Sequence, residues 1–361
     1  MEFQLTRKKT PTAVAGLDIG AGSVAATEVQ VNGSVQVAGT AIAPLPADVF
    51  HEGEVLDSEA LAGALKSLFN DHKISKRVRL GIGNQQVVVR TVRLPAIEDP
   101  KELEAAVRFQ AQEQIPMPLD QAVLEHQVVG GVAAEEGAAP QIDVVVVAAR
   151  REMISSFLDS ARRAGLEPVG IDLSAFAMIR ALADVAAATG GAGEEQPHDA
   201  VLYCDVGDLT NLAVARGRSC LFTRVSHVGF EAISARLAAA SGLTPEHAFQ
   251  WLSYVGLDQP VDALEGDPGT VAEARRALED GVASLLDELR LSLDYYGAQE
   301  TALPVRQVVL SGAGSSIRGL APTMEERLGI PIQVARPAAL LGYDDASAAR
   351  LTLSYGLALE G

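Results

Sequence analysis

The sequence predicts an α/β protein made of one half written twice, with a small α+β insert in the first copy. Three observations carry that reading. A carboxylate-glycine turn occurs at Gly16-Leu17-Asp18-Ile19-Gly20-Ala21-Gly22-Ser23 and again at Cys204-Asp205-Val206-Gly207-Asp208-Leu209-Thr210-Asn211. Each copy follows a short apolar run and precedes a hairpin and a helix, so a whole supersecondary unit recurs rather than one motif. Between the copies lies a stretch with strand and helix patterns of its own.

In the first copy, Ala13 to Leu17 reads as a strand that ends at Asp18. Ser23 to Val31 and Val35 to Ile42 read as a hairpin closed by Asn32-Gly33, a pair suited to positive φ. Leu61, Leu65, Leu68 and Phe69 recur at helical spacing and predict a helix over Ser58 to Phe69, with Ser58 as its cap. The insert is placed at 78–167. It opens on two short apolar strands within Arg79 to Leu94, around Gly81-Ile82-Gly83. Asp99 caps and Pro100 starts a helix reaching Gln114. Ile115-Pro116-Met117-Pro118 ends it. Val123 to Val129 and Ile142 to Ala148 form a strand pair, and the Ala/Gly/Glu-rich Gly130 to Gln141 reads as a mobile link. A helix over Glu152 to Ala164 closes the insert. Val169-Gly170-Ile171-Asp172 then leads into a helix over Ser174 to Leu182, and Thr189 to His198 is a Gly/Glu/Pro linker.

The second copy repeats the order. Ala200 to Cys204 leads to Asp205, and Asn211 to Ala215 and Cys220 to Val225 form a hairpin that turns at Arg216-Gly217-Arg218. A helix over Glu231 to Ala240 follows. Thr244 to Tyr296 reads as almost all helical, opened by the cap-then-proline pair Thr244-Pro245. Leu278, Val282, Leu285, Leu289, Leu293 and Tyr296 make an apolar stripe at helical spacing, which reads as core. Val305 to Leu310 is a strand running into Ser311-Gly312-Ala313-Gly314-Ser315-Ser316, before a helix near Leu320.

Composition excludes several function classes. The chain has 361 residues and a formal net charge of -18, which opposes binding to nucleic acid and adsorption to anionic lipid. Arg7-Lys8-Lys9 is the one compact basic cluster and reads as a solvated tail or, with Phe3 and Leu5 beside it, as a membrane contact. The longest apolar stretch, Ile142 to Ala149 with Asp143 as its one charge, falls far short of the roughly 20 residues a membrane helix needs. The N-terminus lacks the apolar core of a signal peptide. A cytoplasmic protein is therefore expected, with Cys204 and Cys220 as buried, reduced thiols. His51, His72, His126, His198 and His247 show no metal-ligand spacing, and His227 reads as structural.

The turns carry the chemistry. Glycine lets backbone N–H groups converge on an anion such as phosphate. A carboxylate beside that cradle can hold a magnesium ion through water. Two such turns, one from each half, can close on one nucleoside triphosphate. A Gly-x-Gly loop between a strand and a helix, as at Gly312 and Gly314, also admits a nucleotide against bare backbone.

These motifs, in this order, resemble the actin-like ATPase superfamily, whose fold is a duplicated ribonuclease H-like unit. More narrowly they resemble the PilM family of type IV pilus assembly proteins, with an SHS2-type insert as in FtsA-like proteins. The matching stretches are Gly16 to Gly20 with Ser23-Val24, Glu113-Gln114-Ile115-Pro116-Met117-Pro118, Val169 to Asp172, Thr210-Asn211-Leu212, Val228-Gly229, Val309 to Gly314, and Tyr355-Gly356-Leu357-Ala358. The isoleucine-proline motif of the insert is the most family-specific of them.

The resemblance implies four subdomains. They are a first actin-like one (1–77, 168–198 and 333–361), the insert (78–167), a second actin-like one (199–243 and 304–332) and a helical one (244–303). It implies ATP and magnesium as ligands, with Asp18 and Asp205 orienting the metal through water. Gly20, Gly22 and Ser23 would cradle the β- and γ-phosphates, and Gly207 with Thr210 or Asn211 would clip them from the opposite side. Gly229 would stand beside that clip. Gly312, Gly314 and Ser315 would face the adenosine. Asp172 would act as a hinge between the halves or as a plain helix cap. Ala25 stands where members commonly carry a lysine, and the spacing from Asp205 to Thr210 is one residue tighter than actin's. Both departures imply modest nucleotide affinity and weak or absent hydrolysis. The implied role is a cytoplasmic scaffold, peripheral to the inner face of the membrane, that binds the N-terminal tail of a PilN-like inner-membrane protein. Other pilus assembly proteins and further copies of the chain are the other implied partners. A filament-forming FtsA-like protein and a small-molecule kinase of the same fold are the alternatives. The first would be expected to end in an amphipathic membrane helix, where this chain ends Leu357-Ala358-Leu359-Glu360-Gly361. The second needs an aspartate base in the cleft.

Overall fold

The computed structural model describes residues 13–31, 34–46, 48–132, 140–189 and 199–359. Arg7-Lys8-Lys9, the Asn32-Gly33 turn, most of the Gly130–Gln141 link and nearly all of the Thr189–His198 linker lie outside the described residues.

The duplication is visible in the sheets. Strands β1 (Val14–Ile19), β2 (Ser23–Val31) and β3 (Val35–Pro44) form an antiparallel meander. A tiny hairpin, β4 (Phe50–His51) and β5 (Glu54–Val55), precedes helix α1 (Ser58–His72). Strand β6 (Arg77–Ile82) then pairs parallel to β1. Strand β7 (Val88–Pro95), helix α2 (Pro100–Gln114) and strands β8 (Ala122–Val132) and β9 (Gln141–Arg150) form the insert. Helix α3 (Arg151–Arg163), strand β10 (Glu167–Leu173) and helix α4 (Ser174–Thr189) complete the first half. The first sheet has the order β10-β6-β1-β2-β3.

The second half opens with the meander β11 (Ala200–Val206), β12 (Thr210–Arg216) and β13 (Ser219–Ser226). Helices α5 (Phe230–Ser241), α6 (Pro245–Val255) and α7 (Pro268–Gly297) follow, then β14 (Val305–Ser311), α8 (Leu320–Leu328), β15 (Ile332–Val334) and α9 (Asp345–Ala358). Its sheet has the order β13-β12-β11-β14-β15. Each sheet is thus a three-stranded meander whose first strand pairs parallel to a fourth, which pairs parallel to a fifth.

Two elements sit elsewhere than local pattern suggested. Strand β6, which the 78–167 boundary assigns to the insert from Val78 on, runs between β1 and β10 in the first sheet. Helix α3 buries Met153, Phe157 and Ala161 in the same core as Leu61 and Leu65 of α1. A buried apolar strand reads alike in any sheet, and an amphipathic helix announces an apolar face but not its partner. The insert proper is the sheet β7-β9-β8. Its small core joins Val92, Val144 and Val146 to Val107 and Ala111 of α2.

Caps follow the expected chemistry with one shift. Asp57, not Ser58, caps α1, accepting from the N–H groups of Glu59 and Ala60 at 2.9 Å each. Both residue types cap well, so adjacent candidates compete. Asp99 and Thr244 cap α2 and α6, each with proline in the first helical turn, and Asp267-Pro268 opens the 30-residue α7 in the same way. Cys204 and Cys220 are free thiols, both pushed up by burial, and against expectation only Cys204 is fully buried while Cys220, near the start of β13, is half-buried. No helix among the described residues is long and apolar enough to cross a membrane.

The layers run α1/α3, first sheet, α4/α9, second sheet, then α5 to α8. The middle core mixes Ala25 and Val29 of the first sheet, Met178 and Leu182 of α4, Leu351 and Tyr355 of α9, and Tyr203 and Val309 of the second sheet. Helix α9 is seated unusually close. A Cβ on Gly16 would lie 1.9 Å from the Ser354 carbonyl oxygen, and one on Gly356 would lie 2.0 Å from the Ala177 carbonyl oxygen. Arg79 Nη1 donates to the carbonyls of Leu357 and Leu359 at 2.9 and 2.8 Å, and Arg180 Nε donates to that of Gly356 at 3.1 Å, so two cations close the helix C-terminus. Gly356→Ala is expected to cost about 3 kcal/mol, because backbone rather than a flexible side chain opposes the new methyl. Urea unfolding of the variant checks it: an unchanged midpoint would show that α4 and α9 can part without loss.

Candidate functional site: a carboxylate cleft between the halves

The two carboxylate turns face each other across the halves. Strand β1 delivers Asp18, and the N–H of Gly20 donates to the Ser23 carbonyl at 2.9 Å to close the first turn. Strand β11 delivers Asp205, and the N–H of Gly207 donates to the Leu209 carbonyl at 3.0 Å to close the second. The gap between them is narrow. Asp208 of the second turn accepts from the Gly22 N–H at 3.4 Å, and a Cβ on Gly20 would lie 2.4 Å from the same carboxylate oxygen. Only glycine at position 20 leaves room for that approach.

Charge is concentrated here. Burial, then the charges of Asp205 and Asp208, raises Asp18 to about 7. Asp205 is 4% exposed, and burial raises it to about 6. The Ser311 hydroxyl, donating at 2.8 Å, pulls the other way, and the Asp208 charge adds to the rise. Glu231 also lines the cleft and is raised, first by burial and then by Asp208. Clustered carboxylates lifted in this way favour a cation among them. Among the described residues no three His, Cys, Asp or Glu side chains converge at direct metal-ligand geometry. A magnesium ion held through water fits the donors better than one bound directly.

A second observation points to a ligand. Asn211 is 8% exposed, and its Oδ1 has no hydrogen-bond partner. It lines the cleft from β12 and stands 2.6 Å from where a Cβ of Gly83 would be. A buried amide oxygen without a donor is costly unless something supplies one.

The cleft is narrow in this structure. Its cavity is about 110 Å³, below the about 300–1,000 Å³ of ligand pockets. Two histidine–glutamate contacts cross its mouth. His51 Nδ1 lies 3.4 Å from Glu231 Oε1, and His227 Nδ1 lies 3.4 Å from Glu52 Oε1. His51 and Glu52 belong to the β4–β5 hairpin, whose tip has positive φ at Glu52 and Gly53. A ligand larger than this cavity needs more room than the two turns leave here.

The predicted residues divide into two groups. Asp18, Gly20, Ser23, Asp205, Gly207 and Asn211 line the cleft together, with the Gly22 N–H at its edge. The others sit behind the second turn. Thr210 is fully buried, and its hydroxyl donates to the Val228 carbonyl at 2.6 Å. A Cβ on Gly229 would lie 2.1 Å from the Asp208 carbonyl oxygen. Cβ atoms on Gly312 and Gly314 would meet Val206 backbone at 2.7 Å and the Phe230 ring at 2.3 Å. The Ser315 hydroxyl donates to the Gly312 carbonyl at 2.7 Å. Tight packing accounts for these glycines, and Ala313 is the member of that loop that faces the cleft. Asp172 lies elsewhere: it ion-pairs with Arg180 and accepts the Leu173 N–H at 2.8 Å, beside a different cavity. Asp208, Glu231 and Arg350 were not singled out from sequence. Asp208 could have been, as a second carboxylate in the repeated turn, whereas nothing local marks the other two.

That other cavity is a groove of about 780 Å³. It runs between β8, the edge strand of the insert sheet, and β10, the edge strand of the first sheet. Val128 and Val129 of β8 line it at 45% and 42% exposure.

The chain matches the family model described as type IV pilus assembly protein PilM over residues 16–360. A solved structure described as a PilM-PilN type IV pilus biogenesis complex is 27% identical, with a TM-score of 0.77, covering 96% of this chain and 97% of that one. Ethanolamine utilization protein EutJ from Carboxydothermus hydrogenoformans is similar at 15% identity, TM-score 0.54, with coverage of 97% and 90%. MreB5 of Spiroplasma citri bound to ADP is similar at 13% identity, TM-score 0.53, with coverage of 96% and 95%. At those identities EutJ and MreB5 show the actin-like fold alone. The family match spans nearly the whole described chain, from the first carboxylate turn through the closing helix, and the chain belongs to the type IV pilus assembly protein PilM family.

Proposed function

We propose that this protein is a cytoplasmic scaffold of type IV pilus assembly that holds the N-terminal tail of a PilN-like inner-membrane protein in the groove between β8 and β10. The observation that carries the proposal is the groove itself. Its volume suits a peptide segment, it is flanked by two strand edges, and exposed valines line it. An extended tail can add main-chain hydrogen bonds at an edge and seat alternate side chains among the apolar residues. The relative solved as a PilM-PilN complex supports the choice of partner. The same partnership would bring the protein to the inner face of the membrane. Other pilus proteins and self-association are compatible with this reading, and the family match favours neither a filament nor a small-molecule kinase.

The cleft is read as a site for ATP with magnesium. The unpartnered Asn211 oxygen, the glycine turn and the raised carboxylates fit such a ligand. When bound, it supplies negative phosphates and a divalent cation. Asp18 and Asp205 would hold the cation through water, and the Gly20–Ser23 turn would meet the phosphates. Strand β6 joins the two sites, because Gly81 and Gly83 line the cleft while Ile82 lines the groove. Nucleotide is thus a clamp that sets the groove rather than a fuel. Calorimetric titration of the full chain with the cognate tail peptide, with and without MgATP, tests this. Binding at micromolar affinity or tighter is expected in at least one nucleotide state. An absence of heat in both would end the scaffold reading.

A further inference from the structure

We infer that Arg350 is the side chain by which the cleft recognises the phosphates of its nucleotide. The inference rests on the nucleotide reading above and names the residue that reading lacks. Among the described residues lining the cleft, the carboxylates are Asp18, Glu52, Asp205, Asp208 and Glu231, and Arg350 is the only basic one. A polyanion entering this cleft meets several like charges, and magnesium on the Asp18–Asp205 side offsets only some of them.

Arg350 is placed to offset the rest. Its Nη1 donates to the Ser23 hydroxyl at 2.8 Å, at the end of the glycine turn. No ion pair joins it to a carboxylate among the described residues. The side chain is exposed, so its remaining N–H donors face solvent rather than protein. A guanidinium held by one hydroxyl keeps a planar fork available for phosphate oxygens. From β2 the cleft receives the Ser23 hydroxyl and the Ala25 methyl, the latter buried against the middle core, and neither carries charge. Helix α9 therefore supplies a cation that the strand does not.

The carrier is rigid. Helix α9 is pinned at Gly16 and Gly356 by close backbone approach, and its C-terminus is closed by Arg79 and Arg180. A fixed helix holds the guanidinium in place before the ligand arrives, which limits the ordering lost on binding.

The test uses the full chain with MgATP as the probe, comparing wild type, Arg350→Ala and Arg350→Lys by titration and by melting of the free proteins. Arg350→Ala is expected to weaken MgATP by about 10- to 100-fold with an unchanged melting temperature. Arg350→Lys should recover part of the loss, as it restores charge without the fork. Equal affinity of wild type and Arg350→Ala overturns the inference while leaving the nucleotide reading intact. So does a loss that comes with a lowered melting temperature and no recovery in Arg350→Lys, which marks a structural role. Failure of wild type itself to bind MgATP overturns both.

Discussion

Asp18→Asn is expected to abolish magnesium-nucleotide binding and, at the same time, to make the free protein more stable above pH 7. The two effects share one cause. Burial and the neighbouring Asp205 and Asp208 charges raise Asp18 from 3.8 to about 7. In the unfolded chain the same carboxyl loses its proton near pH 4. Between about pH 4 and pH 7 the folded state thus binds more protons than the unfolded one, and stability falls as pH rises. Above about pH 7 the loss is complete. At about 1.4 kcal/mol per unit the full rise would amount to about 4 kcal/mol, and solvent screening at this partly exposed carboxyl leaves roughly 2 kcal/mol of it. Asparagine keeps the shape and removes the charge, so the variant should lose most of this slope and gain roughly 2 kcal/mol at pH 8. Magnesium should stabilise wild type more at pH 8 than at pH 6, since a cation replaces the proton, and should leave the variant unmoved. Denaturant titrations at pH 6 and 8, with and without magnesium, read all of this. A variant less stable than wild type at pH 8 would mean that Asp18 is held by partners rather than strained by neighbours.

That tension also explains which features were legible in the sequence. The carboxylate turns, the meanders and the cap-proline helix starts are local: each depends on residues within a few positions, and each forms where expected. Strand β6 depends on pairing with β1, some 60 residues earlier, and its apolar run carries no address. Arg350 reaches Ser23 across 327 positions. The paired histidines and glutamates at the cleft mouth likewise come from separate halves. Thr210, Gly229, Gly312 and Gly314 illustrate the converse. Their residue types suit close contact with a nucleotide, and the same types suit backbone packed on backbone behind it. Sequence shows that a close approach occurs but not whether ligand or protein makes it.

Val128→Asp is expected to reduce tail-peptide affinity by at least 100-fold while leaving MgATP binding and folding intact. Val128 is 45% exposed on an edge strand, next to an irregularity in the β8–β9 register between Val128 and Gly130. A carboxylate there stays hydrated in the free protein, so the fold tolerates it. An incoming peptide would strip that water and leave the charge among Val123, Val129 and Val145, which line the same groove. Burying an unpaired charge costs several kcal/mol, more than one apolar contact returns. Val128 does not line the cleft, and β6, which ends Gly81-Ile82, lies between the two sites, so the cleft's own ligand should bind as before. Paired titrations with peptide and with MgATP decide the matter. Equal peptide affinity in the variant would move the tail site out of the β8–β10 groove. Loss of both ligands would mean instead that the groove and the cleft rise and fall as one unit, with β6 as the element that couples them.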